Sequence, residues 1–217
     1  MNDLTAGIFS GFVQTFFGHP LDTIKVLKQS NIELTRKLLT PRSLYKGFLI
    51  PFTFSGIING TIFGINQHLY EKLNNHYMSG FLAGSASTII VTPMELYKIR
   101  KQENLSIKNI FPFKGFVSTF CRESIATSMY FGSYKQLQSN YNNPLFNGGV
   151  AGVLSWSISY NFDTIKTRIQ SDKCKTMLEG YKMGKLWSGI KPCLIRSFIV
   201  NGVGFYVYEA IKKHWEN

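Results

Sequence analysis

Charged residues are scarce in this 217-residue chain, and acidic ones scarcer still. Only 17% of residues are charged, with 12 Asp+Glu against 24 Lys+Arg. Soluble domains usually carry roughly 25%, so the composition leans away from a fully solvated surface. Cysteines number three, Cys121, Cys174 and Cys193. An odd, widely spaced set implies neither a disulfide framework nor a zinc cluster; buried free thiols are the expectation, and no metal site is expected. The chain has no Gly-x-x-x-x-Gly-Lys-Ser/Thr phosphate loop. His19, His68, His76 and His214 join no Cys/His or Ser/His/Asp arrangement, so an enzyme is not expected. His19, beside Pro20, reads as a packed helix residue. The opening "MNDLTAGIFSGF" lacks the basic n-region of a secretory signal and the Arg/Ser-rich look of a transit peptide. Any organelle targeting is therefore expected to be internal.

What is abundant points to a membrane. Hydrophobic residues make up 44% of the chain, aromatic residues 15%, and there are 19 glycines; glycine is more frequent in membrane helices than in soluble ones. The mean hydropathy of −0.02 leans the other way. Helices apolar on one side only, lining a watery cavity, reconcile the two. The net charge of +12 suits an anionic small molecule, an anionic membrane surface or nucleic acid. A basic nucleic-acid-binding protein would need a soluble basic face with stacking aromatics; here the aromatics sit inside long apolar segments, so no nucleic-acid partner is expected.

The chain repeats itself three times. "PLDTIKVLKQ" begins at Pro20, "PMELYKIRKQ" at Pro93 and "NFDTIKTRIQ" at Asn161. In each, an acid (Asp22, Glu95, Asp163) precedes a lysine (Lys25, Lys98, Lys166) by three residues, and a glutamine (Gln29, Gln102, Gln170) follows four later. Upstream lie Gly7 and Gly11, Gly80 and Gly84, and Gly148 and Gly152, each a Gly-x-x-x-Gly that lets helix backbones approach in lipid. Downstream come "LYKG", "PFKG" and "LWSG". The register predicts one domain, 1–217, with repeats of about 1–74, 75–140 and 141–217. Each repeat is read as a pair of long helices, near 4–29 and 46–74, 76–102 and 113–138, and 144–170 and 188–214. All exceed the ~20 residues that cross a hydrocarbon core. The expected fold is all-α: an integral membrane protein of six transmembrane helices in three pseudo-symmetric pairs around a central cavity, with short surface helices in the links.

Acid, lysine and glutamine at spacings 0, 3 and 7 share one helix stripe. Ionisable groups at membrane depth cost roughly 2.5–3.5 kcal/mol each on insertion scales, so these face inward and pair. Three helices, each offering an acid and a lysine, can close a ring in which each acid meets a neighbour's lysine. Such a ring seals when paired and opens when a ligand offsets the broken pairs. Pro20 and Pro93 each remove a backbone donor and are expected to kink their helices.

These motifs resemble the signature of the mitochondrial carrier family: Pro-x-[Asp/Glu]-x-x-[Lys/Arg] three times, with a downstream aromatic-[Lys/Arg]-Gly. The resemblance runs from about Leu4 to Lys213. It implies a multi-pass protein of the mitochondrial inner membrane, working as a monomer by alternating access and exchanging a small-molecule substrate for a counter-substrate. The trimmed links and Asn-, Ile- and Lys-rich usage also resemble compact carriers of large DNA viruses, for which the membrane would be the host's. The resemblance makes Asp22, Lys25, Glu95, Lys98, Asp163 and Lys166 a matrix gate, with Gln29, Gln102 and Gln170 as braces. It implies no cofactor, but cardiolipin as a structural lipid at Tyr45-Lys46-Gly47, Phe113-Lys114-Gly115 and Trp187-Ser188-Gly189, where helix starts can hold phosphate. Asn161 in place of a third proline and Ser188 in place of a basic residue depart from the pattern. So does the second link, which is the shortest. Glu179-Gly180 is the sole acidic-Gly element.

The family's cytoplasmic gate, aromatic-acid-x-x-base, survives once, at Tyr208, Glu209 and Lys212. In the fourth helix Lys135 stands in the acid's place, and Asn66 to Tyr70 hold no charged pair. The cytoplasmic gate should be weak, which leaves a membrane relative that no longer transports as a remote reading. Aligned on the even-helix starts, the family's substrate contacts fall at Phe54 with Ser55, at Arg122-Glu123, and at Arg196. Guanidinium groups bind carboxylate or phosphate in a fork, although each arginine can instead pair internally. Arg122, Arg196 and Lys135 together favour a nucleotide as substrate. Arg122-Glu123 and the run "RSFIVNGVGFYVYEAIKK" favour the alternative, an amino-acid or carnitine-type zwitterion. Arg122 and Lys135, thirteen residues apart, lie about 220° around a straight helix, so they share a cavity only if that helix bends.

Overall fold

The computed structural model describes residues 2–36, 38–141, 143–197 and 200. Among them every regular element is a helix. The long helices are α1 (Asn2–Gln29), α3 (Leu49–Leu73), α4 (His76–Gln102), α5 (Phe116–Gln138) and α6 (Pro144–Gln170). A further helix, α8, starts at 190 and is described to 197. The first and third links hold the short helices α2 (Pro41–Leu44) and α7 (Met177–Lys182). The second link, 103–115, holds none. Pro20 lies inside α1 and Pro93 inside α4, whereas the corresponding Asn161 lies inside an α6 whose proline, Pro144, is at its start.

The threefold repeat recurs in the backbone. Asn31, Asn104 and Asp172, each two residues beyond a motif glutamine, follow the ends of α1, α4 and α6 with φ of 55°, 59° and 62°. Asn and Asp tolerate this left-handed region better than other non-glycine residues. Gly47, Gly115 and Gly189 then turn the chain into α3, α5 and α8 with φ of 77°, 79° and 84°, where a Cβ would be strained. Asn75 caps α4 by accepting from the Tyr77 and Met78 amides, and Asn143 caps α6 through the Phe146 amide.

Consecutive long helices pack side by side, α3 on α4, α4 on α5 and α5 on α6, with α1 touching α3, α4 and α6. The Gly80/Gly84 pair sets the α4–α5 approach. A Cβ on Gly84 would sit 2.5 Å from the Glu123 carbonyl oxygen, and one on Gly80 would sit 2.8 Å from that of Thr127. Much of the aliphatic and aromatic surface faces outward, including Leu49, Ile57, Phe63, Ile89, Val117 and Ile158. The interior is polar: Asp163, Lys166 and Arg168 are each at most 2% exposed. Among the described residues one stretch, Pro41–Leu73, is long and apolar enough to cross a membrane by length and composition alone. The three cysteines are free thiols.

Candidate functional site

The motif residues of α1, α4 and α6 meet where these helices converge. Lys25 of α1 lies 2.6 Å from Asp163 of α6, Lys166 of α6 lies 2.7 Å from Glu95 of α4, and Lys98 of α4 pairs with Asp22 of α1. Each acid meets a neighbour's lysine, and the three pairs close a ring. Lys166 is also 3.0 Å from Asp163 on its own helix. Asp22, Lys25, Asp163 and Lys166 are buried and Glu95 and Lys98 half-buried, so a partner left alone there would carry much of the desolvation cost of an uncompensated charge.

The glutamines do not behave alike. Gln29 donates to Asp163 at 2.7 Å and accepts from Thr167 at 2.9 Å, and Gln102 donates to Asp22 at 3.4 Å and to Thr23 at 3.0 Å. Gln170, expected as the third brace, donates instead to the Lys114 carbonyl at 3.3 Å. The sequence holds the reason. Thr23 and Thr164 follow two of the acids, and Gln102 and Gln29 reach those hydroxyls; the third acid is followed by Leu96, which has none. The same two threonines donate to the carbonyls of Leu44 and Leu186, both at 2.7 Å. His19 donates to the Lys46 carbonyl at 3.0 Å and Tyr160 to that of Ser188 at 2.9 Å. In the second repeat the equivalent Thr92 bonds back into its own helix, to Thr88. His19 is thus a packed residue, stacked on Tyr45.

Two arginines at one register clamp the helix ends. Arg168 is fully buried and donates to the carbonyls of Gln29 (3.1 Å), Gly180 (2.8 Å) and Lys185 (3.3 Å). Arg100 donates to the Gln170 carbonyl at 3.2 Å and pairs with Asp172 at 2.6 Å. Both stand seven residues after the motif start, where the first repeat has Leu27. That two-in-three pattern is the signal which reading the acid–lysine–glutamine stripe alone passes over.

Beyond the ring, three further equivalent positions meet. Ser30 donates to Glu103, and the Ser30 and Ser171 hydroxyls are 3.2 Å apart. Glu103 lies just past the end of α4, with Lys173 and Arg100 as its nearest cations, and burial pushes its carboxyl up to about 7. The folded protein therefore holds this proton more tightly than the unfolded chain, so its stability falls as pH rises from the ordinary carboxylate range through about 7. Glu103→Gln should flatten that slope. Melting curves of both proteins from pH 5 to 8 check this; parallel pH profiles would contradict it.

Against the ring, walled by α1, α3, α4, α5 and α8, lies a cavity of about 340 Å³. Its charged lining comprises three acids, Asp22, Glu95 and Glu123, and three bases, Lys98, Arg122 and Arg196. Ser55, Ile58 and Asn59 line it from α3. Asn59 follows Ser55 by one helical turn, a spacing that marks it as a wall residue. Phe54 does not face this cavity. It lines an outer apolar groove with Ile50, Ile90, Pro93 and Tyr97, because one residue along a helix rotates the side chain by about 100°. Arg122 is enclosed by acids, paired with Glu123, 3.1 Å from Glu95 and 3.8 Å from Asp163. Arg196 is looser, its Nε 3.9 Å from Asp22 and without a hydrogen bond among the described residues.

Lys135 is elsewhere. It lines a separate cavity of about 500 Å³ with Asn66, Gln67, Tyr70 and Tyr134, and its ammonium donates to Gln138 at 2.9 Å. It does not add positive charge beside Arg122, so the expectation of a strongly cationic central cavity is corrected. Glu209 and Lys212 lie outside the described residues.

Comparison with known proteins agrees with this architecture. The profile described as mitochondrial carrier protein matches residues 138–217. The mitochondrial arginine transporter BAC2 of Arabidopsis thaliana is 27% identical, over 96% of this chain and 89% of that protein. The glutamate/glycine mitochondrial carrier ymc1 of Schizosaccharomyces pombe is 26% identical over 98% and 94%. The mitochondrial basic amino acids transporter of Homo sapiens is 26% identical over 92% and 79%. The threefold motif, the helix-pair order and these relatives together make the chain similar, along nearly its whole length, to mitochondrial carriers.

Proposed function

We propose that the chain is an amino-acid carrier of the inner membrane, with a zwitterionic or cationic substrate rather than a nucleotide. The observation that carries this reading is the charge balance of the central cavity, three acids against three bases. A nucleotide brings several negative charges and would need cations that are not already engaged; Arg122 and Lys98 both are. An amino acid brings one carboxylate, which suits the loosely held Arg196 fork, and one or two ammonium or guanidinium groups, which exchange for the bases now paired with Glu123 and Glu95. The relatives whose names print arginine, basic amino acids, glutamate and glycine support the same class.

In this reading six helices span the membrane and the ring of Asp22, Lys25, Glu95, Lys98, Asp163 and Lys166 is the matrix gate, closed in this structure. Substrate binding offsets the broken pairs, and the carrier works as a monomeric antiporter. Cardiolipin phosphates sit at the amide-rich turns before α3, α5 and α8. Lys46 and Lys114 also tie those turns to Asn104 and Asp172. A ligand that binds the folded state raises its melting temperature by mass action. Arginine, lysine, glutamate, glycine, carnitine and ATP should therefore be compared on the purified protein. Stabilisation by amino acids and none by ATP is expected; the reverse would overturn the proposal.

A further inference from the structure

A second lobe of about 350 Å³ adjoins the central cavity through Asn59, Ile62, Arg122 and Glu123, and its remaining walls include Phe63, Tyr130, Phe131 and Trp156. Trp156 belongs to α6, whose motif residues otherwise serve the ring. Its ring already holds a cation: the Lys25 ammonium lies 4.3 Å from its centroid, and the Arg122 guanidinium carbon 5.9 Å away. Tryptophan offers the strongest aromatic face for a cation, and the contact strengthens when water is excluded. Glu123 borders the same lobe. An aromatic face flanked by a carboxylate is a cation site, whereas the first lobe holds the Arg196 fork suited to a carboxylate.

We infer that Trp156 is a specificity-determining residue that receives the side-chain cation of the substrate, and that the substrate is accordingly an amino acid with a guanidinium or ammonium side chain. This rests on the amino-acid reading above and narrows it.

The test is competition by unlabelled arginine and by citrulline, its uncharged isostere, against a labelled amino-acid exchange in proteoliposomes. In the wild type arginine competes better. Trp156→Leu should shrink arginine's advantage over citrulline about tenfold, the size of one desolvated cation–π contact, while Trp156→Tyr retains most of it. A merely structural role would weaken both competitors alike. If the wild type exchanges no amino acid, the carrier reading and this inference fall together. If it exchanges arginine and Trp156→Leu leaves the arginine-to-citrulline ratio at its wild-type value, this inference alone is overturned.

Discussion

Arg196→Ala should abolish exchange while leaving the protein folded and inserted. Arg196 lines the central cavity, its Nε has no hydrogen bond among the described residues, and the nearest acid, Asp22, is 3.9 Å away. It is the cation of the cavity least committed to a partner. In the proposed cycle it forks onto the substrate carboxylate, and losing a desolvated charge-assisted pair of that kind costs about 2–5 kcal/mol, about 30-fold to a few thousand-fold in rate. Arg196→Lys keeps the charge without the fork and should recover a small fraction. α1 comes close at Gly18, where a Cβ would lie 3.4 Å from the Arg196 Nε, so the alanine removes a side chain without introducing a clash. Initial rates at matched reconstitution decide it. Wild-type rates in the alanine variant would remove Arg196 from the binding site.

The largest loss of stability is expected from Asp163→Asn. Asp163 serves two lysines, Lys25 at 2.6 Å and Lys166 at 3.0 Å, and accepts from Gln29 at 2.7 Å. Neutralising it strands buried cations, and breaking such a pair costs about 3–5 kcal/mol. A chain of this size then melts on the order of 10 °C lower. Asp22→Asn should cost less, because only Lys98 depends closely on Asp22. Thermal unfolding in one detergent compares the two; equal melting temperatures for Asp163→Asn and wild type would show that the ring contributes no net stability.

The helices and the ring were legible because both follow from periodicity. Three acid–lysine–glutamine stripes in register predict helix ends within a few residues and predict which side chains must meet. Departures came where a neighbour outside the motif decides the outcome. Gln170 needed a hydroxyl beside the third acid, and Leu96 has none. Phe54 and Ser55 were placed as a pair, yet adjacent helical residues point about 100° apart, so only Ser55 faces the cavity. The nucleotide expectation counted Arg122, Arg196 and Lys135 as one cluster. In the structure Lys135 lines another cavity, and Arg122 is enclosed by Glu123, Glu95 and Asp163. Trp156 carried no signal at all, because a tryptophan in an apolar helix reads as packing until its neighbours are known.

In the proposed cycle a charge-balanced cavity above the closed ring carries amino acids by exchange. The most direct measurement of this exchange is uptake of labelled arginine into proteoliposomes loaded with arginine, beside labelled ATP into vesicles loaded with ATP. Saturable arginine exchange that requires internal amino acid, with no ATP exchange, is the predicted result. ATP exchange without arginine exchange, or no uptake of either, would contradict it.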